Sequence, residues 1–235
     1  MSAVCFRIDL EYSPREWEVV EESDPSYVVR ILEAVRAFQT HLHFFATADC
    51  VLTFPNLADV IIGEGHALDP LVLTSALERV SERSLGREQI RVEAAFSQKE
   101  VVSEGIGMDI DDLQSHLQLL LRHRYRWIGL SCAQRPQSHL AMSKDVTIYR
   151  SNGLCDKRYF TSCEAAKSVP PYLDMLDKAF NTNDDFLLFH FHAMTLAKAD
   201  PACTIIRYAL NKAHDSGRRV ITLREKSHLQ PANAE

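Results

Sequence analysis

The sequence predicts an α/β fold in which about seven parallel strands form a distorted barrel that is covered by helices. Short apolar segments typical of strands alternate along the chain with amphipathic segments typical of helices. This alternation indicates parallel strands joined by helical crossovers. About six to eight such units in 235 residues favour a barrel. The sequence has no internal repeat, low-complexity tract or linker, so we predict one domain over 1–235 with a frayed tail at 226–235.

The first half of the chain opens with an apolar strand that ends in acidic residues. Asp24 and Pro25 are then typical of a helix start, because Val28, Ile31 and Val35 follow them at helical spacing. In order, the predicted elements of this half are a strand over 4–10, a helix that reaches Phe38, a strand over 42–48, a short helix after Pro55, a helix over about 71–84 and a strand over 90–96.

The second half contains the clearest amphipathic helix, which Asp109 can cap and in which Ile110, Leu113, Leu117 and Leu121 share a face. In order, the predicted elements are this helix over 109–124, a strand over 126–132, a short strand over 145–149, a helix over 172–180, a strand over 186–192, a helix over 201–215 and a strand over 219–223.

Composition excludes several classes of function. A net charge of −6 without a long basic block argues against a nucleic-acid partner. No window approaches ~18 uncharged apolar residues, so no transmembrane segment is predicted. The first residues lack the pattern of a signal peptide, and the six cysteines are scattered without a CxxC pair. From these features we expect reduced cysteines and a cytoplasmic location.

Two carboxylates stand at the end of the first predicted strand. Asp9 and Glu11 are two residues apart, so on a strand their side chains point the same way. Carboxylates at a barrel mouth repel each other unless a cation or a proton lies between them, as for a metal ligand beside a general base. The alternative is an acidic strand end that fades into solvent.

Histidines supply the other candidates. His190 and His192 share one face of a strand that is otherwise apolar, and a neutral imidazole suits an acid–base catalyst or a metal ligand. Alternatively, both pack in the barrel and bond to a neighbour. His43 lies within the second strand, and His66 follows two glycines with Asp69 three residues further on; these are weaker ligand candidates.

Four segments in order give the chain a resemblance to a known family. They are 6-FRIDLEYS-13, 42-LHFFATAD-49, 57-LADVIIGEGHALDP-70, and the late strand 187-LLFHFHAM-194 with its following helix and 220-VITLREK-226. Their order and spacing resemble the polysaccharide deacetylase family, which carries the NodB homology domain and is also called carbohydrate esterase family 4. The resemblance covers most of the chain.

The resemblance implies a NodB-like distorted (β/α) barrel and a metal-dependent reaction that removes an N-acetyl group from an amino sugar. In the family, one Asp and two His hold a divalent ion, often zinc. Carried over to this sequence, Asp9 matches the general base and Glu11 matches the metal carboxylate. His192, or less readily His190, matches the late acid that protonates the leaving amine.

The sequence departs from the family at three places. The positions of the two metal histidines are taken by Leu71 and Ser75. The family's Arg-x-Pro motif, which orients the base, has no convincing counterpart, and Arg91 is the nearest candidate.

Two accounts follow from these departures. In the first, Glu11 holds a divalent ion, zinc above others, together with His43, His66 or Asp69. The protein is then a hydrolase that removes an N-acyl group from a sugar-linked precursor of a surface polysaccharide such as O-antigen or capsule. In the second, no metal is bound, and the domain performs metal-free chemistry or binds a sugar or a protein of the same pathway without hydrolysing it.

Overall fold

The computed structural model describes residues 2–11, 25–73, 81–109, 125–130, 146–151, 154–161 and 168–229. Seven parallel strands form a nearly closed barrel, which confirms the predicted distorted (β/α) barrel. The described strands are β1 (Ala3–Leu10), β2 (His43–Ala46), β3 (Ala67–Val72), β4 (Gly105–Met108), β5 (Trp127–Leu130), β6 (Thr147–Arg150), β7 (Phe186–His192) and β8 (Arg219–Val220).

The strand order around the barrel is β6-β5-β4-β3-β2-β1-β7, and the short β8 pairs with the beginning of β1. All described pairings are parallel. The carboxyl ends of β1 and β7 therefore meet at one end of the barrel, where Asp9 is in register with His192.

Helices cover the outside of the barrel. The described helices are α1 (Ser26–Arg36), α2 (Ala48–Thr53), α3 (Pro55–Gly63), α4 (Glu82–Ser97), α5 (Asp156–Thr161), α6 (Val169–Phe180), α7 (Ala193–Ala199), α8 (Thr204–Asp215) and α9 (Leu223–Leu229). None of these helices combines the length and the apolar character that a membrane crossing requires.

Alternation along the strands divides the core into two layers. Even-numbered residues of β1, such as Phe6 and Ile8, pack outward in the large apolar layer beneath the helices. Odd-numbered residues of β1 point into the barrel. A smaller apolar cluster from several strands and α9 fills the lumen: Cys5, Phe45, Leu71, Trp127, Tyr149, Leu188 and Leu223.

Glycines in β4 make room for the aromatic residues of the lumen. A Cβ atom at Gly105 would lie 2.1 Å from the Trp127 ring, and one at Gly107 would lie 2.6 Å from the Phe45 ring. A side chain at either position would therefore displace a buried ring.

The beginning of α9 closes the lower part of the lumen. The backbone N–H of Leu223 donates to His43 Nδ1 at 3.0 Å. Arg224 binds both oxygens of Asp69 at 2.8 and 3.1 Å, and Asp69 Oδ2 lies 2.9 Å from His43 Nε2. We call His43, Asp69 and Arg224 the floor cluster.

Some predicted elements differ from the structure. Residues 90–96 were predicted as a strand but lie in α4, because a Ser81–Ser84 capping box starts that helix and its buried residues recur at helical spacing. The predicted helix over 71–84 was wrong at its beginning, since Leu71 and Val72 belong to β3. In the predicted 219–223 strand, only Arg219 and Val220 are strand.

Strands β3 and β4 were not predicted, because Pro70 interrupts the first and two glycines weaken the second. Most of the predicted helix over 109–124 lies outside the described residues.

Candidate active site

Asp9 is bound on both oxygens by Arg7, its neighbour two residues earlier on the same face of β1. Arg7 Nε donates to Asp9 Oδ1 at 2.6 Å and Nη2 donates to Oδ2 at 2.7 Å, while Nη1 donates to the Gly129 carbonyl at 2.8 Å. Both side chains are buried. Burial favours the neutral acid, but the Arg7 guanidinium and His190 outweigh it and hold the pKa of Asp9 well below its usual range. Asp9 is therefore a firmly ionised, weakly basic carboxylate.

His190 completes the surroundings of Asp9. Its Nε2 lies 2.8 Å from Asp9 Oδ2, within hydrogen-bond distance. Burial, together with the nearby charges of Arg7 and His192, lowers the pKa of His190 to about 3 despite the Asp9 carboxylate. His190 is consequently a neutral imidazole at physiological pH.

His192 has the opposite character. Asp156, the first residue of α5, accepts from the His192 backbone N–H at 2.9 Å and lies 2.6 Å from its Nδ1. Burial disfavours the imidazolium, but Asp156 and then Glu11 outweigh burial and raise the pKa of His192 to about 9. The ring is thus an imidazolium at neutral pH, protonated on both nitrogens, with Nδ1 directed at Asp156 and Nε2 directed at Glu11.

Glu11 follows the end of β1 and is the carboxylate nearest to solvent in this group. Its Oε1 lies 3.5 Å from His192 Nε2, and its Oε2 lies 2.5 Å from Lys157 Nζ. Burial raises the pKa of Glu11, and the positive charges of His192 and Lys157 only partly oppose that rise. Glu11 is therefore a better proton acceptor than Asp9.

The structure brings together Asp9, Glu11, His190 and His192 at the barrel mouth and places the other predicted site residues elsewhere. His43 pairs with Arg7 across the sheet, four residues before Glu11, so it lies on the order of 13 Å from Glu11 along the strand direction. Asp69 lies with His43 in the floor cluster.

His66 precedes β3, outside both groups. Its Nδ1 accepts from the Leu42 backbone N–H at 3.1 Å, and its Nε2 lies 3.9 Å from Glu64. The predicted metal set of Glu11, His43, His66 and Asp69 is therefore not assembled at one point.

Three residues of the mouth were not predicted from the sequence. Arg7 had a local signal, because an arginine two residues before an aspartate lies on the same strand face. Asp156 and Lys157 had no such signal, since they reach the site only through the fold. Arg91, the predicted substitute for the family's arginine, lies on α4, where it pairs with Asp49 and Glu88.

Comparison with solved structures identifies the fold. A Mycobacterium smegmatis protein named as a polysaccharide deacetylase superposes with a TM-score of 0.73 at 15% identity, over 97% of this chain and 89% of the other. The chain has the NodB-like deacetylase fold. Puue allantoinase superposes with a TM-score of 0.76 at 11% identity, over 96% of this chain and 89% of the other. A pseudoenzyme of carbohydrate esterase family 4 from Bacillus anthracis gives 0.62 at 11%, over 97% and 66%.

No family model matches the sequence, and no curated protein matches it significantly. The resemblance predicted from the four sequence segments is thus confirmed at the level of the fold.

Among the described residues, two groups of side chains have the spacing of a possible metal-binding group. One is Asp9, Glu11 and His192, and the other is Cys155, His190 and His192. In the first, Glu11 Oε1 and His192 Nε2 are 3.5 Å apart, close to the distance between two donors about 2.1 Å from a tetrahedral zinc ion.

The third donor of that first group does not fit the ion that the NodB-like fold implies. Both oxygens of Asp9 already accept from Arg7, so an ion held by Asp9 would compete with that buried guanidinium for the carboxylate. Without Asp9, Glu11 and His192 are two donors, whereas a catalytic zinc site uses three protein ligands. Leu71, at the position of a family metal histidine, is buried in the apolar lumen. Ser75, at the other position, lies outside the described residues.

Proposed function

We propose that the protein is an amide hydrolase that removes the N-acyl group of an amino sugar. The observation that carries this proposal is the pairing of Glu11 Oε1 with His192 Nε2 across 3.5 Å at the barrel mouth. One group is a carboxylate of raised pKa, and the other is an imidazolium held by Asp156. At this distance the base can activate the water that attacks an amide carbonyl carbon, and the acid can protonate the nitrogen that leaves the same carbon.

The reaction follows from these protonation states. Glu11 takes a proton from a water molecule while the water oxygen attacks the carbonyl carbon of the amide. His192 then gives its Nε2 proton to the amide nitrogen, the carbon–nitrogen bond breaks, and a free amine and a carboxylic acid leave. Asp156 keeps the Nδ1–H of His192 in place, so that Nε2 presents the proton.

Asp9 was predicted as the base, and its contacts support a different part in the reaction. Because Arg7 and His190 occupy its oxygens, we assign it the positioning of His190 beside His192, whose ring centroid is 4.1 Å away. His190 is a fully buried, neutral imidazole, and it packs beneath the His192 ring rather than in the open part of the mouth.

The proposal of a sugar substrate is supported by the solved structures that share the fold, which include a protein named as a polysaccharide deacetylase. A precursor of a surface polysaccharide such as O-antigen or capsule stays a prediction from the sequence, as does the cytoplasmic location.

The test measures acetate or formate released from N-acetyl and N-formyl amino sugars, both free and nucleotide-linked. Glu11→Gln and His192→Gln should each lower kcat by about 10²- to 10⁴-fold. His192→Gln should also lower stability, because it leaves the buried Asp156 carboxylate without its partner, so turnover is measured at a temperature where thermal unfolding shows each variant to be folded. The matched control is Glu64→Gln, which removes a carboxylate that pairs with Arg36 on the surface. Equal turnover in Glu11→Gln and the unchanged protein would refute the assignment of the base.

Two observations favour a second function. Leu71 is apolar at a family ligand position, and the same fold occurs in a family 4 pseudoenzyme. The alternative is a non-catalytic protein that binds a sugar or a partner in the same pathway. It predicts stoichiometric binding of an N-acyl sugar without release of acid, together with unchanged cellular function in Glu11→Gln.

A further inference from the structure

Two carboxylates of the described mouth residues already contact a permanent cation. Asp9 lies 2.6 Å from the Arg7 guanidinium, and Glu11 lies 2.5 Å from the Lys157 ammonium. The third carboxylate, Asp156, lies 2.6 Å from His192 Nδ1. A divalent ion bound there would therefore compete with Arg7 and Lys157 for carboxylates whose charge they already balance.

Lys157 contacts the carboxylate that was predicted to hold the metal. Its Nζ lies 2.5 Å from Glu11 Oε2, and its side chain is 48% exposed, so the ammonium sits at the open end of the barrel rather than deep within it. Lys157 follows Asp156 directly in the first turn of α5, and its backbone N–H donates to Asp156 Oδ1 at 2.7 Å. One short helix thus supplies both the partner of the acid and the cation beside the base.

Leu71 supports the same conclusion from the other side of the mouth. It is fully buried among the aromatic residues of the lumen. Side chains of this kind provide no donor for a cation, and a hydrated ion beside them would lose hydration energy without compensation.

We propose that the ammonium group of Lys157 takes the place of the divalent ion of NodB-like deacetylases, so that the site hydrolyses its amide without a metal. This rests on the proposed function. An ammonium has three N–H donors. Lys157 binds Glu11 through one of them, and because its side chain is 48% exposed it can turn another toward the carbonyl oxygen of a bound substrate. As water adds to the carbon, that oxygen becomes an oxyanion, which Lys157 stabilises until the carbon–nitrogen bond breaks.

The first measurement is elemental mass spectrometry on untagged protein, with turnover and thermal stability recorded with and without EDTA. We expect less than about 0.1 equivalent of any divalent ion and no effect of EDTA. About one equivalent that is lost in Glu11→Gln would overturn the proposal, as would an ion lost in Cys155→Ser, which would place a metal on the Cys155, His190 and His192 group instead.

The second measurement asks whether the ammonium excludes zinc. Lys157→Met keeps the length of the side chain and removes its charge, so zinc should bind at least about tenfold more tightly in equilibrium dialysis. Lys157→Arg keeps the charge and should not gain affinity. Lys99→Met, which removes a lysine that pairs with Asp59 away from the mouth, is the control and should behave as the unchanged protein. Equal zinc affinity in Lys157→Met and the unchanged protein would contradict the proposal.

Turnover separates this proposal from the function on which it rests. Without zinc, Lys157→Met should lose about 10²- to 10³-fold in kcat, the usual effect of removing one oxyanion donor. Metal-free protein that hydrolyses no N-acyl amino sugar would refute the proposed function and leave the exclusion of metal intact. Hydrolysis that depends on a bound ion would refute the exclusion of metal and leave the proposed function intact.

Discussion

The buried Arg7–Asp9 pair offers the sharpest test of the site's energetics. Asp9→Asn keeps the shape of the side chain but removes its charge. The Arg7 guanidinium, which is fully buried, would then lack its counter-charge and one of its two hydrogen bonds of 2.6 and 2.7 Å, because an amide keeps only one acceptor oxygen. The remaining bond to the Gly129 carbonyl is neutral and does not replace them.

Breaking a buried ion pair on one side costs about 3–5 kcal/mol of the free energy of unfolding, because the other charge stays buried. In a domain of this size that corresponds to a fall in Tm of roughly 6–20 °C. Arg7→Met should cost a similar amount. The double variant Arg7→Met/Asp9→Leu should cost much less than the sum of the single variants, because no unpaired charge remains.

The assay is urea unfolding at pH 7, with the slope of the free energy checked for each variant. Asp59→Asn, which affects a surface pair with Lys99, is the control and should change stability by no more than about 0.5 kcal/mol. The depressed pKa of Asp9 means that its stabilisation is present above its unfolded pKa of about 3.9 and is lost as pH falls below that value. If Asp9→Asn costs less than about 1 kcal/mol, Asp9 is not the counter-charge of a buried cation.

Three further predictions concern the acid, an outlying histidine and the glycines. The rate of hydrolysis should fall above about pH 9 as His192 loses its proton, and Asp156→Asn should move this limb toward neutral pH; an unmoved limb in a rate–pH profile would exclude Asp156 as the positioning residue. Burial lowers the pKa of His66 to about 4, so the folded state binds fewer protons than the unfolded state between about pH 6.5 and 4. His66 should therefore contribute about 3 kcal/mol of lost stability as pH falls over that range. In urea unfolding at successive pH values, the loss should be smaller by about that amount in His66→Asn. Gly105→Ala should cost about 2 kcal/mol or more in thermal unfolding. Gly63→Ala, with no atom within 4 Å of the added carbon, should be neutral or slightly stabilising. Equal effects of the two variants would mean that the Trp127 ring can move to make room for the added carbon.

Local patterns predicted the parts of the fold that they determine. Residues 4–10, 42–48 and 186–192 were predicted as strands and contain or overlap β1, β2 and β7, because each is a short apolar run whose character does not depend on distant partners. The pairing of β1 with β7 at the mouth then places Asp9 beside His190 and His192. Strand alternation was enough to direct these side chains to one face.

The remaining site residues depend on distant parts of the chain. Lys157 and Glu11 are 146 residues apart, and Asp156 and His192 are 36 apart, so no spacing in the sequence links them. The floor cluster shows that a suggestive local spacing can also predict the wrong role. His43 and Asp69 pair as a histidine and a carboxylate should, but their partner is Arg224, and together they close the lumen.

The long separation of the paired residues also sets a time during synthesis. Asp9 and His190 are 181 residues apart, and His43 waits for the Leu223 backbone, 180 residues later. At about 5–20 residues per second, a ribosome takes roughly 10–40 s to cover either interval. Throughout that period β1 has no β7 beside it, and its apolar edge is open to other chains. A nascent chain of this protein should therefore be a client for chaperones that bind extended apolar strands, and slower synthesis should lengthen its exposure to aggregation.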